Sequence, residues 1–298
     1  MATQTATTGN LEHAQNIVIA QCLIATEHNQ PCVNLVNRFR LGKGEKSLTV
    51  PRVGQVDAQN LTDGVDLVTT ADIGLDYETA SPDEVGLKFI LTDKLVRQFN
   101  EDVFKLIGTQ MGNAMARKRD KDVITLFASL TTHTLGIDNA SLILANASGA
   151  VAYATANKFP RPIVFVHHPN AVAKLSLDMQ GQRGAAGTVY VPVGLSSVSE
   201  QLLKDYWSGV SLDRINFYQD GNIEKYSTVD SGYGAMFGRG CLGFCESLAP
   251  TTERERDASL RAYEVVMVSD YKAFEINADW GARAQYEIGA LTHNSTKA

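Results

Sequence analysis

Residues 92–128 constrain the fold more than any other part of this chain. Leu95, Phe99, Val103, Leu106, Met111 and Met115 recur mainly at three- and four-residue steps, and no proline interrupts them. That spacing predicts one unbroken amphipathic helix. Thr92 suits the N-cap and Asp93 the positive end of the helix. At about 1.5 Å per residue the rod runs roughly 55 Å, well beyond the usual three or four turns. A compact enzyme domain has little use for such a rod, whereas a flat plate that braces neighbouring copies of itself does.

Directly before it, residues 54–84 carry Asp57, Asp63, Asp66, Asp72, Asp76, Glu78, Asp83 and Glu84 and no Lys or Arg. Val65–Leu67 and Ile73–Leu75–Tyr77 alternate apolar and polar residues, as strands with one wet face do, and Asp63-Gly64 is a turn signal between them. The stretch reads as a two-stranded acidic finger, preceded by the extended residues 33–53 and joined to the body by a second arm, Val85 to Leu91. Such a finger is marginal in water and needs a surface to lie on, here that of another subunit.

The totals exclude several classes. Net charge is -6 and the pI about 5.5, against a nucleic-acid binder held by overall charge. No apolar run approaches the roughly eighteen residues of a spanning helix, so no membrane role is expected. The start, MATQTATTGNLEHAQ, lacks the basic and apolar regions of a signal peptide, and a cytoplasmic location is expected. Cys22, Cys32, Cys241 and Cys245 do not make a disulfide framework. The C-x3-C pair has no nearby histidine for zinc, so buried thiols and no metal or cofactor are expected.

Residues 1–9 are small and polar, and Asn10 would cap a short helix ending near His28. After the long helix, residues 139–157 read as a second helix capped by Asn139 or Ser141. Pro160 and Pro162 break the pattern. Pro162–Val166 is a buried-type strand, and a helix follows with Pro169 at its first position. Strands around INFYQ and IEKYS, with a helix at SSVSEQLLKDYWSG, make residues 163–250 a mixed α/β region. Beyond Pro250, two or three long strands with a turn near Asn277-Ala278-Asp279 are expected to return beside the long helix.

Candidate chemistry is sparse. Gly238-Arg239-Gly240-Cys241-Leu242-Gly243 matches G-x-G-x-x-G, but Pro250 stops any full helix after it, so a glycine-rich turn between strand and short helix is expected rather than a dinucleotide site. His167-His168 is the one paired histidine; a ligand or general base is one reading, and capping of the next helix by His168 or Asn170 is the other. The basic run Arg117, Lys118, Arg119, Lys121 reads as a solvated helix face or as the surface on which a neighbour's acidic finger (Asp57, Asp63, Asp66, Asp72) is steered and held in register.

This order of parts resembles the major capsid protein of tailed phages, the Hong Kong 97-like fold. The closing pattern GYGAMFGRGCLGFCES followed by TERERDASLRAYEVVMVSDYKAFEINADWGARA is its most specific element. The resemblance implies an α+β capsid fold with an N-terminal arm at 1–45, an E-loop at 46–91, and a peripheral P-domain opening at 92–162 with a spine helix. An axial A-domain would follow at 163–250, and closing P-domain strands at 251–298. It implies pentamers and hexamers in an icosahedral shell around double-stranded DNA, with no catalytic, cofactor or metal site. The long N-terminal scaffolding segment of some relatives has no counterpart, so a separate scaffolding protein or a processed form is expected, with a portal and possible decoration proteins as further partners. Lys43, Lys46 and Asn277 carry no mark of an isopeptide-forming pair, and no cross-link is expected. An encapsulin-type shell, or a cytosolic enzyme using His167 and His168, are the alternatives.

Overall fold

The computed structural model describes residues 31–53, 60, 74–98, 103–179, 211–212, 215–226 and 229–290. Strands and helices combine in an α+β arrangement of two sheets and one hairpin. The four-stranded sheet has the order β1 (Asn37–Arg40), β10 (Leu242–Asp257), β11 (Ala262–Glu275), β4 (Asp83–Thr92). The six-stranded sheet has the order β5 (Thr134–Leu135), β12 (Gly281–Glu287), β9 (Ser231–Gly238), β6 (Ile163–His167), β8 (Ile215–Gln219), β7 (Ser211–Leu212). β2 (Leu48–Val53) and β3 (Leu75–Ala80) form the hairpin. The helices are α1 (Asp93–Gln98), α2 (Val103–Ser129), α3 (Leu144–Ala156) and α4 (Pro169–Met179).

The long helical segment is present as α1 and α2, the latter 27 residues and about 40 Å long; residues 99–102, and with them the continuity of the rod, lie outside the described residues. Thr92 caps the first turn, its hydroxyl accepting from the Leu95 N–H at 3.4 Å. Met111, Met115, Val123 and Phe127 of α2 are buried against Val265, Met267 and Tyr271 of β11 and Phe237 of β9. The closing strands therefore do pack beside the long helix.

Two cores share the six-stranded sheet. Along β6, Val164 and Val166 face the core that includes α2, while Ile163 and Phe165 face a second core under α3. Period-two alternation with both faces covered is why this strand reads as continuously apolar. On α3, Ala147, Ala150 and Ala154 line one side and let the helix close onto Phe165, Phe217 and Tyr286.

Several sequence expectations shift. β3 pairs with β2, Val50 opposite Glu78, and Leu48, Val50 and Ala80 anchor that pairing on Leu41, Cys245 and Phe274; the expected partner Val65–Leu67 lies outside the described residues. Val85–Leu91 lies within β4, which runs antiparallel along β11. Helix α3 begins at Leu144, not Asn139: Asn139 has φ 59, its N–H donates to the Ser231 hydroxyl, and the Leu144 N–H is capped by the Asp178 carboxylate of α4 at 2.9 Å. IEKYS contributes one bridge, Lys225 opposite Gly232, in place of a strand. The helices expected near residues 10–28 and 196–209 lie outside the described residues.

Candidate functional site

The stripe that buries α2 continues past its methionines. Four residues beyond Met115 comes Arg119, next to it Asp120, and three and seven residues beyond Asp120 come Val123 and Phe127, all five being buried. Helical spacing thus turns the middle of the basic run inward. Arg119 donates to the Glu246 carboxylate of β10 at 2.8 Å, with its guanidinium 4.9 Å from the Phe244 ring and 5.5 Å from the Tyr271 ring. Next to it, Tyr271 donates its hydroxyl to Asp122 at 2.8 Å; burial and that carboxylate raise the phenol pKa.

The other cations of the run are also engaged within the subunit. Lys118 pairs with Asp122 one turn on at 2.5 Å, and Lys121 pairs with Glu224. Arg117 and Lys118 stand on the exposed side of α2. Of the acidic finger, Asp57, Asp63, Asp66 and Asp72 lie outside the described residues. Its base is not uncompensated: Asp76 pairs with Arg52 across the hairpin, and Asp83 with Lys272 of β11, both at 2.6 Å. Beyond that base Leu75 and Tyr77 are more than half exposed, at 54% and 58%.

His167 and His168 do not form a catalytic pair. His167 is fully buried, and burial lowers its pKa to about 3, so it stays neutral. Its Nδ1 accepts from the His168 N–H, and His168 Nδ1 in turn accepts from the Asn170 N–H at 3.1 Å. His168 is thus the N-cap of α4, with Pro169 in the first helical position. The glycine motif joins strand to strand, not strand to short helix. The turn at Arg239-Gly240, with Gly240 at φ +86, hands the chain from β9 in one sheet to β10 in the other. No helix N-terminus follows to receive a pyrophosphate.

One polar cluster escaped the sequence reading. Cys32, Asp120 and Asp220 are all buried, and their sulfur and carboxylate oxygens lie within 4.8 Å of one another. Asp120 accepts from the Cys32 N–H and the Asn222 side-chain amide, both at 2.9 Å. Asp220 accepts from the Cys32 thiol at 2.9 Å and the Asn222 N–H at 2.8 Å. Burial, with Asp220 and Asp120 beside it, pushes the Cys32 thiol up and keeps it protonated. Burial is also the main reason that the Asp120 carboxyl is pushed up to about 7, and a hydrogen bond to Asp220 works in the same direction. The set is a closed hydrogen-bond network rather than an open ligand cage. Stepping the methionine stripe forward would have found Asp120; nothing local marks Cys32 or Asp220 as its partners. Among the described residues, Cys32, Cys241 and Cys245 are buried free thiols, and no helix is long and apolar enough to cross a membrane.

Comparison with known proteins places this geometry. A family model described as phage capsid protein matches residues 76–283. No curated protein matches the chain in sequence. Among solved structures, the capsid of a native GTA particle superposes with a TM-score of 0.66 at 11% identity, over 91% of this chain and 98% of that one. The chain titled Mycobacterium phage Adephagia gives 0.64 at 11% identity, covering 93% and 98%. The capsid of the cyanophage P-SCSP1u gives 0.60 at 16% identity, covering 89% and 90%. At such identities the likeness is one of fold.

Proposed function

The chain belongs to the phage capsid protein family and is a structural protein with the Hong Kong 97-like fold; from that premise we propose that its copies close as pentamers and hexamers into an icosahedral shell around double-stranded phage DNA. The observation that carries the reading is the β2–β3 hairpin. Its base is seated on the body through Leu48, Val50 and Ala80, while Leu75 and Tyr77 stand out in solvent. A two-stranded element with exposed apolar residues is stable only when another surface covers it. A neighbouring copy supplies that surface, and symmetry repeats the contact around the shell.

On this reading residues 1–45 act as the arm, 46–91 as the E-loop, 92–162 and 251–298 as the P-domain and 163–250 as the A-domain. A separate scaffolding protein, a portal and decoration proteins are the partners, assembly takes place in the host cytoplasm, and the product is the virion shell. The acidic balance suits a container that encloses DNA without gripping it. Asp57, Asp63, Asp66 and Asp72 of one copy would be steered to α2 of the next. Because Arg119 is buried against its own sheet while Arg117 and Lys118 stand on the exposed side of α2, these two are the cations that would meet them.

Electron microscopy of the purified protein, with and without a co-expressed scaffold candidate, tests the reading. Shells or five- and six-membered rings are expected, and Arg117→Glu with Lys118→Glu should prevent them while the subunit stays folded. A uniform small species under every condition would overturn the assembly reading. Normal shells from the double variant would overturn the charge contact alone, and shells filled with a protein cargo would point to a nanocompartment.

A further inference from the structure

We propose that the Cys32–Asp120–Asp220 junction is a proton-held latch: one proton shared between two buried carboxyls fastens the turn at Cys32–Asn34 to helix α2 and to the turn after β8, and loss of that proton loosens all three. This concerns the single subunit and goes beyond the assembly reading.

The geometry requires such a proton. Each of the four carboxylate oxygens already accepts one hydrogen bond, from the Cys32 N–H, the Cys32 thiol, the Asn222 N–H or the Asn222 amide. Two full negative charges at this separation, out of water, repel strongly unless a cation or a proton lies between them. Among the described residues, the cations on the packed elements are committed elsewhere. On α2, Lys118 pairs with Asp122, Arg119 with Glu246 and Lys121 with Glu224, while Arg117 is exposed. After β8, Lys225 pairs with Asp230. From the Cys32 side, Arg38 donates to the Val33 carbonyl and to Asn34. From β6, His167 is neutral and presents its carbonyl to the Asp220 N–H at 3.0 Å. Cys32 contributes a protonated thiol, a donor but not a charge. Among the described groups, a shared proton is what remains.

The latch has mechanical reach. The Cys32–Asn34 turn leads directly into β1, which among the described strands lies at the edge of the four-stranded sheet and pairs with β10. Val33 and Val36 of this segment are buried in the core under α2. Releasing the turn therefore weakens the hold of the whole 32–40 segment on the spine helix.

The sign follows from linkage. The closed latch keeps its proton up to about pH 7, whereas an opened one loses it at an ordinary carboxyl value near pH 4. Opening thus releases one proton in that window, so its equilibrium constant rises about tenfold per pH unit there and levels off above it. Native-state hydrogen exchange of the main-chain amides in residues 32–40, corrected for the intrinsic pH dependence of exchange, reads this constant. In the wild type, protection should fall about fiftyfold between about pH 5 and pH 7. Asp120→Asn and Asp220→Asn should each flatten that slope. A flat wild-type profile, or a slope kept in both variants, would overturn the latch. Should neither variant fold, isotope-edited infrared spectroscopy of the wild type decides: a protonated carboxylic acid should persist at about pH 6 and vanish at alkaline pH. Its absence at the lower pH would equally overturn the proposal. None of these readouts depends on whether shells form, so they separate the latch from the assembly reading.

Discussion

Replacing Arg119 by alanine should cost far more than replacing the cation beside it. Arg119 is buried between α2 and the four-stranded sheet, paired with Glu246 and lying over Phe244 and Tyr271. Removing one partner of a buried pair typically costs about 3–5 kcal/mol, because the remaining charge is left uncompensated. Glu246 keeps 25% of its side-chain exposure, so water recovers part of that loss and the lower end applies. Losing the two ring contacts adds about 1 kcal/mol at a partly desolvated site. The expected total is about 4 kcal/mol. Lys118→Ala removes an exposed pair one turn long and should cost no more than about 0.5 kcal/mol. Urea denaturation of the isolated subunit reads both as shifts in midpoint at constant slope. The double variant Arg119→Met with Glu246→Leu removes both charges and keeps apolar volume, and it should regain most of the loss. The reasoning fails if Arg119→Ala lies within about 0.5 kcal/mol of Lys118→Ala, or if the double variant is as unstable as the single one.

Other positions give sharper steric and capping tests. A Cβ at Gly234 would lie 2.3 Å from the Val166 carbonyl oxygen and 2.4 Å from the His167 ring, in a strand paired on both sides. Gly234→Ala should therefore lower stability by about 3 kcal/mol or more, seen as lost soluble yield and an early thermal transition. His168→Ala removes the cap of α4 and should cost about 1 kcal/mol. His167→Ala empties a buried ring site and should cost about 3 kcal/mol; equal melting temperatures for the two variants would contradict this assignment of roles.

What the sequence determined by itself is whatever acts within a helical turn or a strand's alternation. The helical repeat before residue 129, the Thr92 cap, the buried strand at 163–167, Pro169 opening a helix under a His168 cap and the long closing strands all follow from neighbours a few residues apart. Their order along the chain was enough to suggest the capsid fold. Tertiary structure decided that β2 pairs with β3, since Leu48, Val50 and Ala80 pack together on Phe274 and Cys245. It also decided that the middle of an apparently solvated basic run, Arg119 and Asp120, faces inward. Above all it decided the latch. The Cys32 N–H meets Asp120 across 88 residues of chain, and the Cys32 thiol meets Asp220 across 188. No local periodicity encodes such a meeting; it exists because the sheet order brings β1, α2 and the end of β8 to one place, where burial then pushes the Asp120 carboxyl up beside Asp220.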